Sequence, residues 1–521
     1  MILMNASLMS LEIAVVLLGL GILLLDLWIA PEHKRKLGYF AALAVAVVFA
    51  WSFRYDMSFS AREGFSMVQI APELAFNNSY VLDPLALFFK RFFLLAAVLV
   101  LIMAAEFADR IGAGISEYYS LILFALSGMM FASSANDLTM LFVSLELITV
   151  TFYVLTSFQR SRVQSLEAGV KYLVIGGLST GFTVFGIALV SGTATTTIAN
   201  QALNGMNFND LAQYVKYIAE HNAKFPPILL AGLALILAGL GFKIAMVPFQ
   251  IWAPDVYQGS PAPTTAFLAV GSKAAGIVLL MRVLFTAVPD VTAHWEKLLM
   301  VISAVTILYG NLCAIPQRNL KRLLGYSSIA HAGYLLMGFA ALTRAGSTAV
   351  VYYLSGYLFT VIAAFTVISI VARKSDSEDV TTLAGLNRRS PFLAAAMTLA
   401  MVSLAGIPPL AGFFGKFLLL KSVVEQGAHS QGYYWLAGVA VIGVVISLYY
   451  YFGVVRAIYW SPEAPDVSAI HVSLPTRLAL IVCMAGILFI GIYPQPLLTV
   501  ANRATQPLNA LDGLPGIVAQ R

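Results

Sequence analysis

The sequence predicts an all-α polytopic membrane protein of about fourteen transmembrane helices, and three observations carry that expectation. Of 521 residues, 60% are hydrophobic and only 11% are charged, whereas water-soluble domains carry about 25% charged residues. The mean hydropathy is +0.85. The apolar residues also fall into runs of about 17–25, the length a helix needs to cross a hydrocarbon layer about 30 Å thick. Mostly short loops separate the runs and leave no room for a soluble domain.

The first run, residues 11–30, ends at Pro31 ahead of a basic cluster. It shows no small-residue cleavage site, so it reads as the first transmembrane helix rather than a removable signal. Further helices are expected to begin near Gly38, Leu85, Tyr118, Leu138, Leu166, Pro226, Thr264, Trp295, Leu320, Thr348, Pro391, Tyr433 and Leu474. The longest loops, about 54–83 and 192–225, hold some thirty residues each, and the second has room for a short amphipathic helix around 210–220.

Charge placement sets an orientation, because basic loops stay on the cytoplasmic side. Loops after odd-numbered helices hold Lys34, Arg35, Lys36, Arg110, Arg160, Arg162, Arg318, Lys321, Arg322, Arg373, Lys374, Arg388, Arg389, Arg456 and Arg477; the loop after the seventh holds none. The opposite side, despite longer loops, has Arg54, Arg62, Lys216, Lys224, Arg282, Lys297, Arg344, Arg503 and Arg521. Both termini are therefore expected outside. The net charge of +6 is scattered, with no dense patch for nucleic acid. Cys313 and Cys483 lie far apart in apolar runs, which excludes a disulfide framework, a CxxC redox pair and a zinc site.

A charge at the bilayer centre costs about 2.5–3.5 kcal/mol on insertion scales, so the helices that carry one are the informative ones. Glu146, Lys171, Lys243, Lys273, Lys416 and the titratable His331 are the candidates. Lys90, Arg91 and Lys421 lie near helix ends and are assigned to snorkelling. Lys171 is about five residues into its helix and has Glu167 one turn away as a local partner. A lone histidine on such a helix is more often packed than functional. Lys243, Lys273 and Lys416 sit too deep to snorkel, and three buried amines are hard to explain by packing. Burial disfavours the charged form of an amine or carboxylate, and a nearby opposite charge restores it. A row of Glu, Lys, Lys, His and Lys on successive helices therefore points to proton transfer through the membrane plane.

Two helices carry marks of interruption. One reads Gly241-Phe242-Lys243 with Pro248 following; the other reads Gly406-Ile407-Pro408-Pro409, then Gly412 and Gly415 before Lys416. Irregular backbone at membrane depth is tolerated only where protein or water surrounds it. These are the seventh and twelfth helices. An offset of five is odd, which gives two five-helix units opposite orientations, the arithmetic of inverted repeats. The units are helices 4–8 and 9–13, and the expected divisions are 1–116, 117–290, 291–460 and 461–521.

The segment Gly241-Phe242-Lys243 through Pro248, Trp252, Pro254-Asp255, Tyr257, Gly259, Pro261 and Pro263, followed by Gly271-Ser272-Lys273, resembles the subunit N family of bacterial NADH:quinone oxidoreductase. This is the subunit 2 type of the mitochondrial respiratory complex. The likeness extends to Ser144-Leu145-Glu146, to Tyr326 through His331 and Tyr334, and to Gly412 through Lys416. It implies fourteen helices with the inverted five-helix pair. It also implies a glutamate, Glu146, that controls the charge of Lys243, a connecting Lys273 and a terminal Lys416, with His331 and Lys171 near the same axis. By this resemblance the chain moves protons while partner subunits hold FMN and iron–sulfur clusters; this chain holds no cofactor. Its partners are the other membrane subunits and the lipid bilayer, with no nucleic acid, and its location is the bacterial inner (plasma) membrane. Lys416 and the absence of a long C-terminal lateral helix favour subunit N over the other antiporter-like subunits. A cation/proton antiporter subunit of the Mrp type, the plastoquinone-linked photosynthetic homologue and a purely structural scaffold are the competing readings.

Overall fold

The computed structural model describes residues 5–56, 72–198, 201–375, 377–428, 430–461 and 468–508. Arg62, Arg521, the side chain of Lys374 and the end of the C-terminal tail lie outside the described residues. The chain is an all-helical bundle whose helices follow the apolar runs. In order they are α1 (Ser10–Leu25), α2 (Lys34–Ser52), α3 (Pro84–Phe107), α4 (Ile115–Ser133), α5 (Leu138–Thr156), α6 (Val163–Ala194) and the two pieces α7a (Pro227–Ile244) and α7b (Trp252–Gly259). Then come α8 (Ala262–Ala287), α9 (Glu296–Ala314), α10 (Leu320–Ala340), α11 (Arg344–Ser375), the two pieces α12a (Pro391–Ala405) and α12b (Ala411–Gln426), α13 (Gln431–Trp460) and α14 (Leu474–Ile492).

Among the described residues, twelve helices are long and apolar enough to cross a membrane. The two other expected crossings are α10, long enough but carrying Lys321, Arg322, Ser327, Ser328 and His331, and the α12a–α12b pair, split below spanning length. The long loops do more than the sequence promised. Each holds a two-stranded antiparallel hairpin, Glu73–Ala75 with Tyr80–Leu82 and Thr196–Ile198 with Gln201–Leu203, and the second also carries the amphipathic helix Phe208–Glu220.

Three of these helices start at a side-chain cap. Asp83 accepts from Ala86 N at 2.8 Å, Asp137 from Met140 N at 2.5 Å and Asn319 from Arg322 N at 3.0 Å, each satisfying an amide that the first turn leaves unpaired. Outer helices such as α1, α2, α6 and α14 bury one face and turn the other, rich in Leu, Val and Phe, outward. α8 is buried on all sides at the centre, and its residues Leu268–Ser272 and Val283–Ala287 are wound as π-helix.

Both expected interruptions are present. α7a stops where Ala245 enters the left-handed region at φ +59°, and α12a stops at Gly406, φ +87°. The freed backbone groups find partners: the Trp252 indole donates to Phe242 O at 2.9 Å, and Thr306 Oγ1 accepts from Val247 N at 3.2 Å. The two lysines do not occupy equivalent places, however. Lys243 lies in the last turn before its break, whereas Lys416 lies in the helix that follows its break.

Candidate functional site

Lys243, Lys273, His331 and Lys416 are all buried, and a row of hydroxyl groups lies among them. The row begins on α5, where Glu146 and Thr149 are one turn apart and share a face. Thr180 Oγ1 donates to Glu146 Oε1 at 2.7 Å, and Lys243 Nζ donates to Thr149 Oγ1 at 2.9 Å. Glu146 and Lys243 form no direct ion pair; they line one cavity of about 20 Å³ together with Thr149, Ser179, Thr180 and Thr183. A volume near 10–15 Å³ admits one water centre, so this cavity has room for about one water. Glu146 itself is half-buried at the face between α5 and α6.

Gly276 on α8 brings the next station close. A Cβ there would stand 3.3 Å from Cβ and Cγ of Lys243 and 2.8 Å from Ile244 Cγ2, so only glycine lets α8 approach α7a this closely. One turn earlier, Lys273 Nζ donates to both the carbonyl and the hydroxyl oxygen of Ser328 on α10. Ser328 Oγ is also 3.1 Å from the hydroxyls of Tyr257 and Tyr357, and the Tyr357 ring lies 5.8 Å from the Lys273 ammonium. The π-helical turn at Leu268–Ser272 directly precedes Lys273. Such turns, which add a residue to the helical repeat, occur frequently at functional sites.

His331, one turn beyond Ser328 on α10, is held by two tyrosines. Its Nε2 is 3.0 Å from Tyr451 OH, its Nδ1 contacts Tyr353 OH, and Ser327 Oγ contacts the same Tyr451. Lys416 ends the row. It donates to Leu404 O at 2.7 Å and Ala405 O at 3.3 Å, the open carbonyls at the end of α12a, and it lies 5.1 Å from the Tyr334 ring centroid. A cation at a helix C-terminus is favoured by the aligned peptide dipoles. Gly406 gives it room, since a Cβ there would lie 3.0 Å from Lys416 Cδ.

The sixth candidate stands apart. Lys171 is 41% exposed and pairs with Glu167 Oε1 at 2.6 Å, as the local reading expected, and with Asp255 Oδ2 at 2.7 Å. Arg322 Nη1 reaches Asp255 Oδ1 at 2.5 Å. Lys171 thus belongs to a partly exposed charge cluster holding α6, α7b and α10 together, not to the buried row.

Three basic residues were misread from the sequence. Lys90 does not snorkel: it is fully buried, pairs with an equally buried Glu12 at 2.8 Å and donates to Tyr80 OH at 2.5 Å. Arg282 and Lys321 were counted as loop charges, but both are buried. Arg282 makes a two-pronged pair with Asp83 at 2.9 and 3.0 Å and donates to Ser133 O, and Lys321 pairs with Glu378 at 2.8 Å. In contrast, Arg91 pairs with Asp56 and Lys421 with Glu425 near helix ends, as snorkelling side chains do. The tyrosines Tyr257, Tyr353, Tyr357 and Tyr451 and the hydroxyls of Thr149 and Ser328 were also missed. The signals for them were the i,i+4 spacing of Tyr353 and Tyr357 and the place of Tyr257 and Ser328 inside the segments that carry the family resemblance.

The family model described as "NADH:quinone oxidoreductase/Mrp antiporter, TM" matches residues 135–449, which contain every candidate residue. The chain is similar to NADH-quinone oxidoreductase subunit N of Desulforamulus reducens, 38% identical over 503 residues, 96% of this chain and 98% of that one. Among solved structures it is similar to a chain of respiratory complex I from Thermus thermophilus with bound aureothin. The TM-score is 0.73 at 30% identity, covering 94% of this chain and 99% of that one. A chain of the Mrp complex from Dietzia sp. shares the fold, with a TM-score of 0.77 at 20% identity and coverage of 97% and 99%. The chain belongs to the NADH:quinone oxidoreductase/Mrp antiporter transmembrane family.

Proposed function

We propose that this chain is the subunit N type of proton-translocating membrane subunit in an NADH:quinone oxidoreductase, working beside other membrane subunits of the complex. The relatives' names and the likeness to complex I support the assignment. The observation that carries the mechanism is the row of buried amines with hydroxyls and an imidazole lying among them, because every one of these groups can give up and regain a proton or pass one by rotation.

Lys243, desolvated and one threonine away from Glu146, is the switch. With the carboxylate charge close, its ammonium form is favoured; when that charge is screened or withdrawn, the buried amine releases its proton. Lys273, Ser328, Tyr257, Tyr357, His331 and Lys416 are the onward groups. Glu146 stands at an outer face of the bundle, where a neighbouring subunit's charge reaches it. The seventh and twelfth helices, each broken and each adjoining one of these lysines, support the division into units 117–290 and 291–460 of opposite orientation, flanked by 1–116 and 461–521.

FMN and iron–sulfur clusters belong to partner subunits in this reading. Each such cluster takes about four thiolates, and this chain has two distant cysteines. The basic loops face the cytoplasm, both termini lie outside, and the membrane is the bacterial inner membrane. Lys243→Ala and Glu146→Ala are expected to abolish or strongly reduce NADH-driven proton pumping by the assembled complex in membrane vesicles. Pumping at the parental stoichiometry in both variants removes them from the mechanism. The Mrp-type reading draws on the shared fold and predicts sodium-dependent proton exchange by vesicles containing this chain alone.

A further inference from the structure

Among the described residues, a buried charge pair lies near the row but outside it. Lys321 opens α10 with 1% of its side chain exposed, a burial unusual for a residue one position from a helix start. Its Nζ pairs with Glu378 Oε1 at 2.8 Å and donates to Ser260 O at 2.7 Å. Glu378 is 11% exposed, so it lies between Lys321 and the loop surface, and Arg162 is 3.8 Å from the same carboxylate oxygen. Arg110 is the other charged group whose field reaches Lys321. Around the helix, Lys321, Gly325 and Ser328 fall at i, i+4 and i+7, one face of α10.

That face lies on α7b. A Cβ at Gly325 would come 3.1 Å from Pro254 Cα and 3.5 Å from Tyr257 Cβ. Ser328 is two turns, about 10 Å, along the axis from Lys321, and it is the group Lys273 donates to. Polar groups lie in the interval. Thr265 Oγ1 is 3.5 Å from Ser260 O, the acceptor of Lys321, and 3.3 Å from Tyr257 O. The hydroxyl at the far end of the Tyr257 side chain meets Ser328 Oγ, so water has to bridge from Thr265 to it.

We propose that Lys321 and Glu378 load protons into the Lys273 row from the basic-loop face. The inference rests on the proton-translocating reading above. A neutral Lys273 amine accepts a proton that the Lys321 ammonium releases through the intervening hydroxyls and water. Lys321 is left as a neutral amine, and Glu378, protonated from solution, gives its proton to that amine and returns to a carboxylate. One proton enters from water and one arrives on Lys273.

Arginine separates this role from a structural one, because a guanidinium keeps the charge and the ion pair but does not release its proton. In the intact complex, Lys321→Arg is expected to assemble and oxidise NADH while NADH-driven proton pumping is lost, because the residue that releases the proton is gone. Glu378→Gln, which keeps an acceptor for Lys321, is expected to give the same loss, and Glu378→Asp to restore pumping. Parental pumping in either Lys321→Arg or Glu378→Gln overturns the proposal. Should Lys321→Arg fail to assemble, Glu378→Gln decides alone. Lys243→Ala run in parallel tells the two failures apart: if it also pumps normally, the row itself falls rather than its entrance.

Discussion

Ser328 shows how far hydrogen-bond bookkeeping reaches at a single residue. A serine hydroxyl has one hydrogen and two lone pairs. Lys273 and Tyr357 both donate to Ser328 Oγ and fill the lone pairs, so the contact with Tyr257 at 3.1 Å must be Ser328 donating. When the imidazole of His331 is neutral it is constrained likewise, since one of Tyr353 and Tyr451 donates to it while the other accepts. These directions mean that a proton cannot pass through Ser328 without the hydroxyls turning over together. Ser328→Ala leaves two tyrosines and an amine short of a partner, a penalty of about 1–3 kcal/mol per buried group. It is expected to slow NADH-driven pumping by about a hundredfold, the lower end of what a positioned proton-transfer group contributes, at normal assembly, with Ser328→Thr largely restoring the rate. Equal rates for alanine and parent, measured by dye quenching in vesicles, would dismiss the directional wire.

At the scale of elements, the buried pair Arg282–Asp83 ties the C-terminal end of α8 to the start of α3, with Asp83 also capping that helix. Removing one partner of such a pair strands a buried charge and costs about 3–5 kcal/mol, whereas replacing both with apolar groups is often neutral. Arg282→Met is therefore expected to lower the thermal stability of the complex or prevent assembly, and Asp83→Leu combined with Arg282→Met to recover most of it; a double variant no better than the single would contradict this. Such pairs also mark where the sequence stopped being readable. The apolar runs gave helix starts to within about four residues, and Gly406 and Pro248 marked the breaks, because hydropathy and backbone chemistry are local. Glu12 and Lys90 are 78 positions apart and 2.8 Å apart in space, so Lys90 alone resembled any interfacial lysine. The tyrosines were missed for a related reason: a phenol in an apolar run looks like packing until its hydroxyl is seen against Ser328 or His331. The three-residue hairpins are too short to show a strand period.

For the molecule as a whole, the orientation rests on charge asymmetry, and two engineered cysteines test it. His33, between α1 and α2 on the basic side, and Tyr217, on the amphipathic helix of the opposite side, are both exposed. With Cys313 and Cys483 replaced, a membrane-impermeant maleimide is expected to label Tyr217→Cys in intact cells and His33→Cys only in inverted vesicles; the reverse pattern would turn the chain over. α8 carries one more consequence. Because neighbours enclose it on every side, it never touches a fatty acyl tail, and the greasiness demanded of its fellows is not demanded of it. What constrains it is volume. An exchange such as Ala274→Ser should be inexpensive there, while one extra branch at Gly276 would wedge apart two rods in the heart of the bundle.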